Sequence, residues 1–184
     1  NQVGYDDSSA LSIFGTEYND LIAGHESSNS AALTINSYAG LDVIDISNHT
    51  GADTVDAGSG NDIVHVNNSY ASDTSIDGGD GTDWLIILGS SAVNYTINSS
   101  TTTNFENVRT GSGDDTITGD DSANRLVGWG GADTISGGNG NDELYGYVDQ
   151  NPQGVSDGID RLYGGAGDDS LYGGAGDDLL DGGT

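Results

Sequence analysis

Residues 164–178 read GGAGDDSLYGGAGDD: a six-residue turn of glycine and acid, three residues built around a leucine, and then the same turn again. A related hexamer, GGNGND, occupies 137–142. Working outward, Asp115, Asn124, Asp133, Asp142, Asn151, Asp160, Asp169 and Asp178 fall on one lattice of period nine, each offering a side-chain oxygen. Two residues after each comes an aliphatic one, Ile117, Leu126, Ile135, Leu144, Leu162, Leu171 and Leu180, with Gln153 alone breaking the series. Nine is neither a helix period nor a plain strand period. A turn of about six residues and a strand of about three satisfy it, the apolar residue pointing inward and its neighbours outward. Two such units, about eighteen residues, make one flattened coil, and coils stack at the inter-strand spacing of about 4.8 Å. The spacing therefore predicts an all-β solenoid with a row of Leu and Ile inside.

The turns also predict a chemistry. Glycines allow a turn to fold its carbonyls toward a shared point through φ values that a Cβ would resist. Carbonyl and carboxylate oxygens, with no thiol or imidazole in the repeat, form a hard-oxygen set suited to Ca²⁺ far better than to Zn²⁺ or Cu²⁺.

These turns resemble the calcium-binding repeats of the repeats-in-toxin (RTX) family, with consensus GGxGxDxUx. The resemblance implies a right-handed parallel β-roll with Ca²⁺ in its turns, each ion sitting between loops one coil apart. The implied metal-binding residues are Gly111, Gly113 and Asp115; Asn124; Gly131 and Asp133; Gly137, Gly138, Gly140 and Asp142; Gly158 and Asp160; Gly164, Gly165, Gly167 and Asp169; and Gly173, Gly174, Gly176 and Asp178. The pairing it implies is 115 with 133, 124 with 142, 142 with 160, and 160 with 178. Asn124 departs from the family Asp and should weaken its site, and Asn151 should weaken the sites it would share with 133 and 169.

Degenerate copies lie upstream, at 15–24, 40–46, 51–55, 58–64 and 78–85, with acidic positions 20, 42, 53, 62 and 83. Asp53, Asp62 and Asp83, the last with Gly78, Gly79 and Gly81, are further candidate ligands. Asp20 and Asp42 lack most of the glycines, and capping a turn through its own backbone is an equal alternative there. The uneven spacing predicts an irregular solenoid portion over 1–109, with excursions at 24–34 and 66–76, and a regular nonapeptide roll over 110–184. One elongated calcium-binding domain, 1–184, is expected. Val93, Tyr95 and Ile97 alternate as a strand, and Phe105 and Val108 return to the core. At 146–157, GYVDQNPQGVSD keeps the lattice but loses the consensus, which predicts a modified rung bulging outward.

The chain of 184 residues carries a formal charge of −27, 31 glycines, no cysteine, and only Arg109, Arg125 and Arg161 as cations outside histidine. Only 33% of it is apolar, against roughly 45–50% on a slightly broader count for ordinary domains. Such a composition favours disorder unless a ligand supplies what the core does not. About six to eight divalent ions would cancel about half the charge, and their binding free energy would become folding free energy. Phosphate contacts need Lys and Arg, so nucleic acid is excluded as a partner. The longest apolar run, Trp84 to Leu88, is far short of a membrane span. With no start methionine or signal peptide, the sequence is expected to be part of a longer chain.

No catalytic residues are expected. His25, His49 and His65 fall in no HExxH spacing, no GxSxG elbow occurs, and the acids are largely absorbed by metal turns. The aromatics suggest a surface: Tyr145 and Tyr163, eighteen residues apart, are expected to stack on one outer face, with Tyr147 beside the bulge, Trp129 in a turn and Tyr172 on the other side. They either cover the sheet or, with Asn151 and a coordinatively open Ca²⁺, form a platform for a sugar diol or peptide carboxylate. Calcium turns of this kind fill at extracellular levels, which predicts a secreted or cell-surface location, and the resemblance implies type I secretion from a Gram-negative bacterium. The expected role is the ligand-binding domain of a large RTX adhesin that recognises peptide or glycan on another cell. The alternative is the non-catalytic folding and secretion module of an RTX toxin, protease, lipase or epimerase. An ice-binding face would need an outward Thr ladder, and Thr54, Thr116 and Thr134 are too few for one.

Overall fold

A computed structural model describes residues 11–24, 31–147 and 157–184. In chain order its strands are β1 (Leu11–Thr16), β2 (Leu21–Ala23), β3 (Leu33–Tyr38), β4 (Val43–Asp45), β5 (Thr54–Asp56), β6 (Ile63–Asn67), β7 (Ser75–Asp77), β8 (Trp84–Leu88), β9 (Asn94–Thr96), β10 (Thr102–Thr103), β11 (Asn107–Arg109), β12 (Thr116–Thr118), β13 (Arg125–Val127), β14 (Thr134–Asn139), β15 (Glu143–Tyr145), β16 (Arg161–Ala166), β17 (Ser170–Tyr172) and β18 (Leu179–Asp181). A single 3₁₀ turn, Tyr70–Ser72, is the only helical element among the described residues, and none there is long and apolar enough to cross a membrane. The fold is all-β with parallel pairing, a β-solenoid. It comprises two compact units, one formed by the chain up to Leu88 together with Asn98–Phe105, the other by Gly89–Ile97 and Glu106–Thr184.

In the first unit, β1, β3, β5, β7 and β10 make one parallel sheet, and β2, β4, β6 and β8 another. Register places Ile13 beside Ile35, Ile35 beside Val55, and Val55 beside Ile76. On the facing sheet, Ile22, Ile44, Val64 and Leu85 line up in the same way. Each residue of these two rows from Ile35 and Ile44 onward is essentially fully buried. Coils here take 20 to 22 residues, as the partner steps Val64 to Leu85, Ile44 to Val64 and Ile22 to Ile44 record. That length spreads the acidic positions off a strict period of nine. The predicted excursion at 66–76 contains the 3₁₀ turn, and the one at 24–34 lies mostly outside the described residues.

In the second unit, β9, β12, β14, β16 and β18 form one sheet, and β11, β13, β15 and β17 the other. Tyr95, Ile117, Ile135, Leu162 and Leu180 stack in register, and Val108, Leu126, Leu144 and Leu171 stack opposite. Ile117, Leu126, Ile135, Leu144 and Leu162 are fully buried, as the two-after-acid pattern requires. Val93, Tyr95 and Ile97 are also buried, on and beside β9 as expected. Leu180 is 47% exposed, since β18 pairs only with β16.

One expectation is corrected. The step from β14 to β16 is twenty-seven residues, with Ile135 opposite Leu162, and that from β15 to β17 is the same, with Leu144 opposite Leu171. The stretch at 146–157 therefore adds nine residues to a single coil instead of serving as a rung. Asn151 itself lies outside the described residues.

Candidate metal centre

Each lattice carboxylate turns inward and ties its coil to the preceding one. Asp133 Oδ1 accepts the backbone N–H of Asp115 at 2.8 Å, Asp160 Oδ1 that of Asp133 at 2.7 Å, and Asp178 Oδ1 that of Asp160 at 3.0 Å. On the opposite side, Asp142 Oδ1 accepts Asn124 N–H and Asp169 Oδ1 accepts Asp142 N–H, both at 2.8 Å. The first unit repeats the device: Asp42 caps Asp20, Asp62 caps Asp42 and Asp83 caps Asp62, each at 2.7 Å. The acidic positions thus form ladders. The expected pairs 115 with 133, 124 with 142 and 160 with 178 are brought together. In place of 142 with 160, the 27-residue step joins 133 to 160 and 142 to 169.

One carboxylate oxygen is used in this way, which leaves the other. The Oδ2 atoms of Asp42, Asp62, Asp133, Asp142, Asp160 and Asp169 are buried and accept no hydrogen bond. Glycine makes room for them: a Cβ on Gly128 would lie 2.0 Å from Asp133 Oδ2, on Gly137 2.2 Å from Asp142 Oδ2, and on Gly164 2.4 Å from Asp169 Oδ2. Beside them the turn carbonyls face the next coil, close enough that a Cβ on Gly165 would meet Gly138 O at 2.0 Å and one on Gly167 would meet Gly140 O at 1.8 Å. Buried anionic oxygens without donors are expensive, by several kcal/mol each in order of magnitude, unless a cation compensates them.

Among the described residues no three His, Cys, Asp or Glu side chains cluster as a metal site. A cation here would take a carboxylate from each turn and the rest of its shell from backbone carbonyls. That donor set fits Ca²⁺, which accepts six to eight oxygens in flexible geometry. Asn124 fits less well: its Oδ1 accepts Asp120 N–H at 2.9 Å and it brings no charge. Asp20 Oδ2 is already occupied by the Thr16 N–H and hydroxyl, at 2.6 and 3.0 Å, which is the turn-capping alternative, whereas Asp42 keeps its second oxygen open.

Burial pushes five of the ladder acids upward. Asp133 rises to about 8, chiefly by desolvation, with the carboxylates of Asp115, Asp160 and Asp114 adding to it against the capping hydrogen bond. Asp160 rises to about 6 for the same leading reason, and Asp62, Asp115 and Asp142 shift in the same direction. A folded pKa above the unfolded value of 3.8 means the folded state holds protons more tightly. Its contribution to stability is full below 3.8 and is lost as pH climbs through about 6 for Asp160 and about 8 for Asp133. Chain stripped of metal should therefore gain β signal when moved from near pH 8 to near pH 4, while calcium-loaded chain should not. Far-UV circular dichroism decides this, and a metal-free signal that falls in acid would contradict it.

A second set of side chains was not foreseen. The residue just before the lattice position also caps the next coil: Asn19 Oδ1 accepts Leu41 N–H, Asn61 accepts Thr82 N–H, Asp114 accepts Ala132 N–H and Asn141 accepts Asp168 N–H, at 2.9 to 3.1 Å. The signal was present as an Asn or Asp immediately ahead of Asp20, Asp62, Asp115 and Asp142.

The aromatic expectations divide. Tyr145 stacks on Tyr172, with centroids 4.7 Å apart and planes within 9°, instead of on Tyr163, because β15 pairs with β17. Tyr163 lies on β16, the other sheet, opposite Ser136 and Asp181. Tyr147 lies near Gly174. Trp129 takes φ +79 in its turn, under the Arg109 guanidinium at 4.4 Å.

A glycine-lined turn with an inward carboxylate, repeated in register along parallel sheets, defines a β-solenoid whose turns present hard oxygen donors. Residues 49–68, 109–144 and 155–184 match the RTX calcium-binding nonapeptide repeat, in four copies, so the chain carries RTX repeats. A search of the curated proteins found no match.

Proposed function

We propose that residues 1–184 act as an extracellular, non-catalytic module whose folding is driven by Ca²⁺ held between successive turns. The ligands would be carboxylates of Asp42, Asp62, Asp133, Asp142, Asp160 and Asp169, with Asp83, Asp115 and Asp178 on the same ladders, and the carbonyls of the adjoining glycine turns. The row of buried Oδ2 atoms with no donor carries this reading. The ion would supply charge compensation that no side chain among the described residues gives these oxygens, and the protein's own part is to hold the turns in register through the Oδ1 caps. RTX repeats are typical of secreted proteins of Gram-negative bacteria, which supports export as the setting in which millimolar calcium is first met.

As a finer role we propose ligand binding within a large adhesin. Its support is the surface Tyr145–Tyr172 stack, with Arg125 over the Tyr145 ring at 5.0 Å and beside Glu143 at 3.4 Å, a flat aromatic and charged face suited to a sugar or peptide. Equilibrium dialysis should count several Ca²⁺ per chain. The loaded protein should then select glycans or peptides from an array in a manner that Tyr145→Ala abolishes. No bound calcium would sink the first reading, and array binding indifferent to Tyr145→Ala the second.

A further inference from the structure

At one turn of the first unit the residues do not fit an ion. Asp53, in the segment NHTGAD at 48–53, is 1% exposed and behaves at first like the other lattice acids. Its Oδ1 accepts the N–H of Leu33 at 2.8 Å, and its own N–H donates to Asp73 Oδ1 at 3.2 Å. Its second oxygen is different. Asp53 Oδ2 lies 2.7 Å from Nδ1 of His49, an imidazole only 4% exposed.

The ring is built into the turn. His49 N–H donates to Ile46 O at 2.9 Å, and its carbonyl accepts the Asn67 amide at 2.7 Å. A Cβ on Gly51 would lie 2.7 Å from the ring's Cε1 and 2.7 Å from Ala31 O, so glycine at 51 makes space for an imidazole. Where Gly79, Gly138, Gly165 and Gly174 hold the second position of their turns at positive φ, this turn has the histidine. Imidazole nitrogen is a poor partner for a hard cation such as Ca²⁺, and Nδ1 is engaged with the carboxylate that would have to bind one.

We infer that the Asp53 turn is a calcium-independent rung, in which the His49 side chain occupies the second carboxylate oxygen that other turns keep for the ion. The segment 49–68 matches the calcium-binding repeat as sequence, so the inference separates repeat identity from ion occupancy. It rests on the calcium reading of the remaining turns. It also removes Asp53 from the expected ligands, while Asp62, whose Oδ2 is buried without a donor, stays on the calcium side.

Equilibrium dialysis with calcium alone tests it on the full chain. Asp53→Asn should bind as many ions as wild type, whereas Asp133→Asn should lose at least one. His49→Gly, which restores glycine at the second position, should gain one. A lower count in Asp53→Asn, with wild type loaded, overturns the inference. If Asp53→Asn does not fold, His49→Gly decides in the same assay: one added ion supports the inference, and an unchanged or lower count overturns it. A wild-type chain that binds no calcium would overturn the calcium reading itself, a result distinct from the loss of one ion in Asp53→Asn.

Discussion

Removing calcium at neutral pH is expected to abolish the β signal of this chain, and millimolar Ca²⁺ to restore it cooperatively. The argument is one of magnitudes. Thirty acidic side chains are opposed by three arginines, which leaves a formal net charge of −27. Six carboxylates, those of Asp42, Asp62, Asp133, Asp142, Asp160 and Asp169, each keep one buried oxygen without a donor. Each buried, uncompensated ion costs several kcal/mol in order of magnitude even after relaxation, while a whole domain is stable by only about 5–15 kcal/mol. Even a few such penalties are comparable to that margin, and Asp133, pushed up to about 8 by burial, escapes its share at neutral pH only by holding a proton. Mg²⁺ should not substitute, because it demands near-ideal octahedral geometry and gives up its water reluctantly. Far-UV circular dichroism followed together with bound calcium checks this, and a spectrum in chelator superimposable on that in Ca²⁺ would refute it.

Much of this arrangement was legible because the repeat keeps its phase. Ile117 opposite Ile135 and Leu126 opposite Leu144 follow directly from a coil of eighteen residues. The same arithmetic failed at 146–157 for a physical reason. Nine added residues leave every later acid on the lattice, so a degenerate rung and a nine-residue insertion into one coil read alike. Only backbone pairing separates them, and it sets Asp133 against Asp160, Asp142 against Asp169 and Tyr145 against Tyr172. In the first unit, coils of 20 to 22 residues hid a regular register behind irregular acid spacing. The His49–Asp53 pair was hidden differently. A histidine four residues before an acid carries no spacing signal, and its meaning comes from both side chains being turned inward by the coil.

The glycines of the turns carry the other large effect, and Gly165→Val should cost about as much as losing a central core residue. Gly165 sits at φ +113, where L side chains are strained, and a Cβ there would lie 2.0 Å from Gly138 O on the neighbouring coil. Strain of this kind costs roughly 1–3 kcal/mol, and forcing atoms into a packed contact typically costs roughly another 1–3 kcal/mol. The carbonyl that must retreat is also one that would face an ion, so packing and metal affinity fall together. For a chain of this size each kcal/mol lowers the melting temperature by about 2–4 °C, so a drop on the order of 10 °C is expected in saturating calcium. Gly182→Val is the control, since a Cβ there meets nothing within 4 Å, and a surface change of that sort stays within about 0.5 kcal/mol. If the two variants melt together, close stacking of the turns is not what the glycines serve, and the calcium-loaded coil must be looser than the register of Gly138 with Gly165 implies.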